Sequence, residues 1–264
     1  MRPVWVNQLG GVTCAIGAPE PSEYLKWSAH HHEIDLPGEA ERLRWAGEHL
    51  PCPEVIGAGS DADGEWLHTR ALPGASAVTG DWSGRTAEVV PELGRALRQV
   101  HDSLPVDECP WTWSVSERLA TQEIEPSRIA GWPDPPGSFD PVVCTGDACA
   151  PNFLLCLAPT SVEPATGTDP AESLRWCGFV DLGDLGVADR WADLAVALWS
   201  LEFNFGSGWE EDFLAAYGIG LDPAKRDFYR RVHDADPGAE ERRREMKRAQ
   251  TTSCSQRTGA SSEA

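Results

Sequence analysis

The chain has 264 residues, a formal net charge of −20 and a pI near 4.6. This length is enough for one large domain or two lobes, in which roughly 70–75% of the unfolded surface would be buried. The acidic balance argues against nucleic acid as a partner and suits either a cationic ligand or simple solubility. No run of about 18 apolar residues occurs, and no apolar segment follows a basic one at the amino terminus, so we expect a cytoplasmic protein without membrane contact.

The eight cysteines are scattered, without a CxxC pair or a rhythm typical of disulfides. We therefore expect reduced thiols. Cys144 and Cys149 could be read as metal ligands, but no second pair follows them, which disfavours zinc. Packing as small side chains is the simpler interpretation.

The amino-terminal segment predicts a hairpin, because apolar strands at Val4–Val6 and Val12–Ile16 flank the pair Gly10–Gly11. Such a turn can present backbone N–H groups to a phosphate. The next strand, Tyr24–Trp27, carries Lys26 between large side chains. A partly buried ammonium there needs an anionic partner, unless the lysine reaches solvent from an edge strand.

A helix is predicted from Leu36 to Leu50, because its apolar residues fall on one helical face and Pro37 lies in the first turn. Glu39 lies beside this face and could turn inward toward Lys26. Two further strands are predicted at residues 55–56 and 66–72. Residues 1–72 are therefore expected to form a small lobe of antiparallel strands with one helix.

The rest of the chain, residues 73–238, predicts a larger and mainly helical lobe. One helix is expected to begin at Pro91 and to end before Pro105, with His101 in its last turn as a structural hydrogen-bonding group rather than a catalyst. The proline-rich segment 105–141 contains a short helical candidate near residues 115–124. That segment could line an acceptor cleft, although packing is the simpler interpretation.

Three polar residues follow short predicted strands. Asp147 comes after the strand Val142–Cys144, and Asn152 lies at the other end of the same loop. After a polar loop at residues 158–173, another strand returns Asp181 beside Asn152. Two carboxylates and a carboxamide are hard oxygen ligands that suit Mg²⁺ and phosphate, and kinases use this order of parts.

Two segments flank this constellation on its carboxyl-terminal side. A helix is predicted from Trp191 to Glu202, where Asp193 could cap backbone N–H groups or brace the catalytic loop. Residues 239–264 contain six Lys or Arg against four Glu and end in small polar residues. We expect this tail to be disordered.

With these residues in place, the chain resembles the aminoglycoside phosphotransferases, in particular the 3′-phosphotransferase group, which have a bilobal protein-kinase-like α+β fold. The resemblance extends over most of the chain, and residues 178–195 are its most specific stretch. The other matching stretches are residues 7–13, 24–27, 39–45, 51–55, 70–74, 97–101 and 142–152.

This resemblance implies an ATP-dependent, Mg²⁺-assisted transfer of the γ-phosphate to a hydroxyl of an aminoglycoside, most often the 3′-hydroxyl, and hence antibiotic inactivation. It implies roles for the individual residues as well. The Gly10, Gly11 and Thr13 turn would cover the phosphates, Lys26 held by Glu39 would bind them, and Arg70 to Leu72 would receive adenine. Asp147 would orient the acceptor hydroxyl and take its proton, Asn152 and Asp181 would bind Mg²⁺, Asp193 would steady the loop, and Asp234, with Asp236 as a weaker candidate, would bind an ammonium group of the acceptor.

The chain departs from the family pattern at several positions. Thr145 stands where the family commonly has His, Asp184 stands where many members have Arg, the 158–173 loop is longer, and a basic tail is added. Two alternatives therefore stay open. One is a kinase of another small-molecule alcohol, and the other is a kinase-fold protein that binds nucleotide without turnover. No obligate protein partner is expected.

Overall fold

The computed structural model describes residues 1–7, 9–121, 135–159 and 172–235. Most of the 158–173 loop, the end of the predicted helix near residue 124, Asp236 and the tail lie outside the described residues. The described cysteines are all free thiols, as expected. Among the described helices, none is both long enough and apolar enough to cross a membrane.

The amino-terminal lobe is built on a five-stranded antiparallel sheet with the strand order β1-β2-β3-β5-β4. Within it, Lys26 on β3 lies opposite Thr13 on β2 and Leu67 on β5. The central position of β3 therefore holds Lys26 between two paired strands. The strands are β1 (Arg2–Val6), β2 (Val12–Ile16), β3 (Glu23–Ser28), β4 (Val55–Ser60) and β5 (Glu65–Arg70).

One helix, α1 (Leu36–Ala46), packs on β4 and β5. It begins where Asp35 accepts a hydrogen bond from the backbone N–H of Gly38 at 2.8 Å, which satisfies one of the free donors of the first turn. Glu39 lies one turn into the helix and is buried together with Ala40. The helix thus presents a carboxylate to the interior.

The next helix, α2 (Thr86–Ser103), begins five residues earlier than predicted. Pro91 lies inside it rather than at its start, because a proline in the second turn removes a single backbone donor while Val89 and Val90 bury fully. His101 remains in the last turn, where it is buried.

The larger lobe combines helices with two small sheets. Its further elements are α3 (Val115–Thr121), α4 (Trp191–Phe205), α5 (Glu210–Tyr217), α6 (Pro223–His233), β6 (Ala75–Ser76), β7 (Pro141–Cys144), β8 (Phe153–Pro159), β9 (Glu172–Phe179) and β10 (Gly186–Asp189). Strand β7 pairs with β10, and β8 lies between β6 and β9. The core of this lobe is formed largely by α2, α4 and the strands β7 to β9.

Candidate active site

Lys26 joins the two lobes through two carboxylates. Its Nζ lies 2.7 Å from Glu39 Oε1 and 3.1 Å from Asp181 Oδ1. Burial opposes the charged ammonium, but the two carboxylates outweigh it and raise the pKa of Lys26. The lysine is therefore a permanent cation. Burial also raises the pKa of Glu39, against the attraction of Lys26.

The hairpin turn between β1 and β2 is closed by Asn7. Its Oδ1 accepts hydrogen bonds from the backbone N–H groups of Leu9 at 3.0 Å and Gly11 at 2.7 Å, and Gly10 N–H donates to the Asn7 carbonyl at 3.1 Å. These amides are therefore already bonded within the turn. Thr13 lies directly opposite Lys26 and so shares its face of the sheet.

The segment Arg70 to Leu72, to which the resemblance assigns the adenine, leads from β5 toward the larger lobe. Arg70 ends β5, and its guanidinium forms an exposed ion pair with Glu54 at 3.0 Å. Leu72 instead packs on Gly178 in β9, where an added Cβ would lie 2.7 Å from the leucine Cδ1. Of the two side chains, only that of Leu72 contacts the larger lobe among the contacts described.

The catalytic candidate Asp147 follows a turn that requires glycine. Gly146 has φ +83°, and an added Cβ would lie 2.4 Å from the Cβ and the carbonyl oxygen of Asp184. The carboxylate of Asp147 is oriented by Asn152, whose Nδ2 donates to the Asp147 carbonyl at 2.9 Å and to Oδ2 at 3.1 Å. The Cys149 thiol forms a hydrogen bond with the same carboxylate.

Burial raises the pKa of Asp147 above the usual carboxyl value. The negative charges of Asp181 and Asp184 add to this increase, while the bonds from Cys149 and Asn152 oppose it. A raised carboxyl pKa makes a stronger base, so this environment suits a group that accepts a proton from a hydroxyl.

Asn152 and Asp181 lie at neighbouring strand ends. Phe153 pairs with Phe179, and the backbone N–H of Val180 donates to the Asn152 carbonyl at 3.0 Å. Asp181 has φ +66° in the left-handed region, which is uncommon for a residue with a side chain and frequent at functional sites. Its half-exposed carboxylate and the Asn152 carboxamide are oxygen donors of the kind that Mg²⁺ prefers.

Asp193 binds the backbone of the turn that precedes Asp147. Its fully buried carboxylate accepts hydrogen bonds from the N–H groups of Thr145 at 2.7 Å and Gly146 at 3.0 Å. The Thr145 hydroxyl donates to it at 3.1 Å, and His101 Nε2 lies 3.0 Å away. The first turn of α4 thus fixes the residues that precede Asp147.

Sequence reasoning missed the other half of this network. The Tyr217 hydroxyl, on α5, lies 2.7 Å from His101 Nδ1 and accepts a hydrogen bond from Arg190 at 3.1 Å. Tyr217 is buried, and burial raises its pKa to about 12, so the hydroxyl keeps the proton that it can donate to His101. The only sequence signal was the buried histidine itself.

Asp234 follows the last residue of α6. Its carboxylate accepts a hydrogen bond from Arg230 at 2.8 Å, and the Arg230 guanidinium lies 4.7 Å from the Trp199 ring centroid on α4. These contacts tie Asp234 to α4.

Comparison with known proteins identifies relatives of this chain. A model of the phosphotransferase enzyme family matches residues 116–229. The chain is 34% identical over 245 residues to an aminoglycoside 3′-phosphotransferase of Streptomyces fradiae, an alignment that covers 80% of this chain and 84% of the relative. The chain belongs to the aminoglycoside phosphotransferase family.

Two further relatives extend this result. A streptomycin 3″-kinase of Streptomyces griseus is 29% identical over 249 residues, covering 80% of this chain and 84% of the relative. The structure of the aminoglycoside phosphotransferase APH(3″)-Id from Streptomyces rimosus, in complex with ADP and streptomycin, matches with a TM-score of 0.61 and 26% identity. That match covers 87% of this chain and 94% of the other. The predicted bilobal kinase-like fold is confirmed.

Proposed function

We propose that this chain transfers the γ-phosphate of ATP to a hydroxyl group of an aminoglycoside, with the 3′-hydroxyl as the preferred position, and so inactivates the antibiotic. The observation that carries the proposal is the meeting of Lys26, Asp181 and the Asp147–Asn152 pair at the junction of the lobes. The relatives named above act on, or are bound to, compounds of this class.

Residues 1–72 form the nucleotide-binding lobe in this proposal, and residues 73–238 form the catalytic lobe. Lys26, fixed by Glu39, binds the phosphates, while Thr13 approaches them from the adjacent strand. Leu72 packs against the adenine, and the backbone of Arg70, at the end of β5, lies in the segment that borders the adenine. Gly10 and Gly11 can bind the phosphates through their backbone N–H groups only after these groups break their hydrogen bonds to Asn7.

Asp181 and the carboxamide oxygen of Asn152 would hold Mg²⁺, which supplies neutralisation of the phosphate charge when it is bound. Asp147 accepts a hydrogen bond from the acceptor hydroxyl and takes its proton as the oxygen attacks the γ-phosphorus. The bond between the γ-phosphorus and the β–γ bridging oxygen breaks, and ADP leaves with that oxygen. Because phosphoryl transfer needs little covalent help, most of the rate enhancement comes from this positioning and charge neutralisation. Asp193 keeps the turn before Asp147 in place.

The acceptor is cationic in this proposal, since the chain carries a net charge of −20. Asp234 can bind an ammonium group of the acceptor only in competition with Arg230. The 3″-hydroxyl is the second candidate position, because the alignment with the streptomycin 3″-kinase covers as large a share of the chain, 80%, as the alignment with the 3′-phosphotransferase.

The test is a coupled ADP-release assay with purified protein, Mg²⁺ and ATP or GTP, against a panel of aminoglycosides that includes streptomycin. Asp147→Ala should lower the rate by roughly 10²–10⁴-fold, the usual contribution of a general base. Asp107→Ala, which removes an exposed carboxylate on the larger lobe, is the matched control and should leave the rate unchanged. NMR of the product identifies the phosphorylated hydroxyl.

The proposal fails if no aminoglycoside stimulates ADP release. Nucleotide binding without release under any acceptor would instead support the kinase-fold binding protein. Full activity of Asp147→Ala would remove the base from its role.

A further inference from the structure

A second carboxylate, that of Asp184, lies beside the catalytic turn. It follows Asp181 by three residues, and its Cβ and carbonyl are packed against Gly146 so closely that no side chain fits there. Because Gly146 directly precedes Asp147, Asp184 lies beside the turn that carries the base.

Asp184 is paired with a cation from a different element. Nη1 of Arg118, on α3, donates to Asp184 Oδ2. The side chains are 22% exposed for Arg118 and 47% exposed for Asp184, so water reaches the pair. Ion pairs with such access to solvent contribute little to stability, because water screens the charges. Another cation can therefore replace Arg118 beside Asp184 at a small cost in free energy.

The other carboxylates of the site are less available to an incoming cation. Glu39 is buried against Lys26, and Asp181 also contacts this lysine. Asp147 is bonded to Asn152 and must accept the acceptor hydroxyl. Among these four carboxylates, Asp184 alone is paired with a cation that has no role in the proposed transfer, Arg118.

We infer that Asp184 binds an ammonium group of the acceptor next to the hydroxyl held by Asp147, and that this ammonium displaces Arg118. The inference rests on the proposed function and adds to it a residue that determines specificity. It assigns Arg118 as the counter-ion of the empty site. Acceptors with an amino group close to the reacting hydroxyl are selected, and acceptors in which that amine is acylated are not.

The experiment measures KM for an aminoglycoside substrate and for ATP in four proteins: the parent, Asp184→Asn, Arg118→Gln and the double variant. Asp184→Asn should raise the acceptor KM about ten-fold, as expected from loss of a charge-assisted hydrogen bond, and leave the ATP KM unchanged. Arg118→Gln should lower the acceptor KM by about two- to five-fold, because the competitor is gone. In the Asp184→Asn background, Arg118→Gln should have no further effect.

Glu88→Gln is the matched control. Glu88 and Arg85 form an ion pair at the start of α2 with side-chain exposures of 53% and 29%, similar to those of Asp184 and Arg118. Its kinetic constants should equal those of the parent. Calorimetric binding in the Asp147→Asn background, with an aminoglycoside and its N-acetylated derivative, gives the same comparison without turnover. Asp184→Asn should weaken binding of the amine and leave binding of the acetylated compound unchanged.

The outcomes separate this inference from the proposed function. If the parent turns over aminoglycosides but Asp184→Asn keeps the parental acceptor KM, or raises the ATP KM instead, the role of Asp184 is refuted and the function stands. The role of Asp184 is also refuted if Arg118→Gln raises the acceptor KM as much as Asp184→Asn does. If the parent neither binds nor phosphorylates any aminoglycoside, both proposals fall.

Discussion

Asp193→Asn tests how the catalytic turn is held. In the parent, one carboxylate accepts four hydrogen bonds: from two backbone amides, from the Thr145 hydroxyl and from His101. Asparagine preserves the shape but has a single oxygen. Its amide nitrogen would face a backbone donor, either that of Gly146 or, after a flip, that of Thr145.

The cost follows from these bonds. Hydrogen bonds to charged groups contribute about 1.5–3 kcal/mol and neutral ones about 0.5–1.5 kcal/mol, so neutralisation removes about 1 kcal/mol from each of three bonds and the fourth is lost. Because neighbouring contributions are not additive, we expect a loss of about 3–5 kcal/mol in the free energy of unfolding. The total stability of a domain is about 5–15 kcal/mol, so the variant should still fold.

The catalytic effect should exceed a simple loss of folded protein. A displacement of about 1 Å at the reacting group can cost roughly 10²-fold in rate, so we expect kcat to fall about that far while the ATP KM hardly changes. Urea unfolding gives the stability, and rates are measured at a temperature where the variant is folded. Asp222→Ala is the control, because this residue only caps α6 through Lys225 N–H at 3.0 Å; it should lose about 1 kcal/mol and keep its kcat. Parental kcat in folded Asp193→Asn would refute the bracing role.

Three further predictions follow from the same contacts. Lys26→Met removes the cation between Glu39 and Asp181 and should lower kcat/KM for ATP by roughly 10²–10³-fold, measured by steady-state kinetics; an unchanged value would exclude the lysine from phosphate binding. The rate should fall as the pH decreases through the raised pKa of Asp147, because only the deprotonated carboxylate accepts a proton. The pKa read from the acid side of the pH profile of kcat/KM should therefore lie above the value of about 3.9 for an ordinary aspartate. A pKa at that ordinary value would contradict the effect of burial on Asp147. Thr145→His should lower the stability measured by thermal unfolding by about 1–3 kcal/mol without raising kcat, because Thr145 is fully buried and the larger imidazole must displace its neighbours. A large gain in kcat would show instead that threonine impairs the enzyme.

The parts of the site that the sequence predicted depend on local pattern and chain connectivity. Glu39 was expected inward because it lies beside the apolar face of α1, and the structure places it 2.7 Å from Lys26. Asn152 and Asp181 were expected together because a hairpin of two strands returns the chain to its start, and Phe153 does pair with Phe179. Alternation and helical periodicity encode such relations directly.

The parts that escaped prediction are contacts between distant elements. His101 and Tyr217 are 116 residues apart, and Arg118 and Asp184 are 66 apart. The local sequence around His101 or Asp184 does not indicate which hydroxyl or which arginine will contact it, because these contacts depend on how whole helices and strands pack together. The Gly10–Gly11 turn differs for a local reason, since the side chain of Asn7 accepts hydrogen bonds from backbone N–H groups that a phosphate would otherwise receive.

The position of Thr145 shows why its departure from the family pattern need not disable the site. The catalytic turn is held mainly through backbone N–H groups, those of Thr145 and Gly146, and these donors exist whatever side chain residue 145 carries. The Thr145 hydroxyl adds one bond to the same carboxylate, and His101 reaches that carboxylate from α2. An imidazole therefore already contacts Asp193, although it comes from another element. The geometry of Asp147 thus depends on Asp193 more than on residue 145, and for this reason Asp193→Asn should lower kcat far more than substitution of Thr145 by valine, which removes only one of the four bonds.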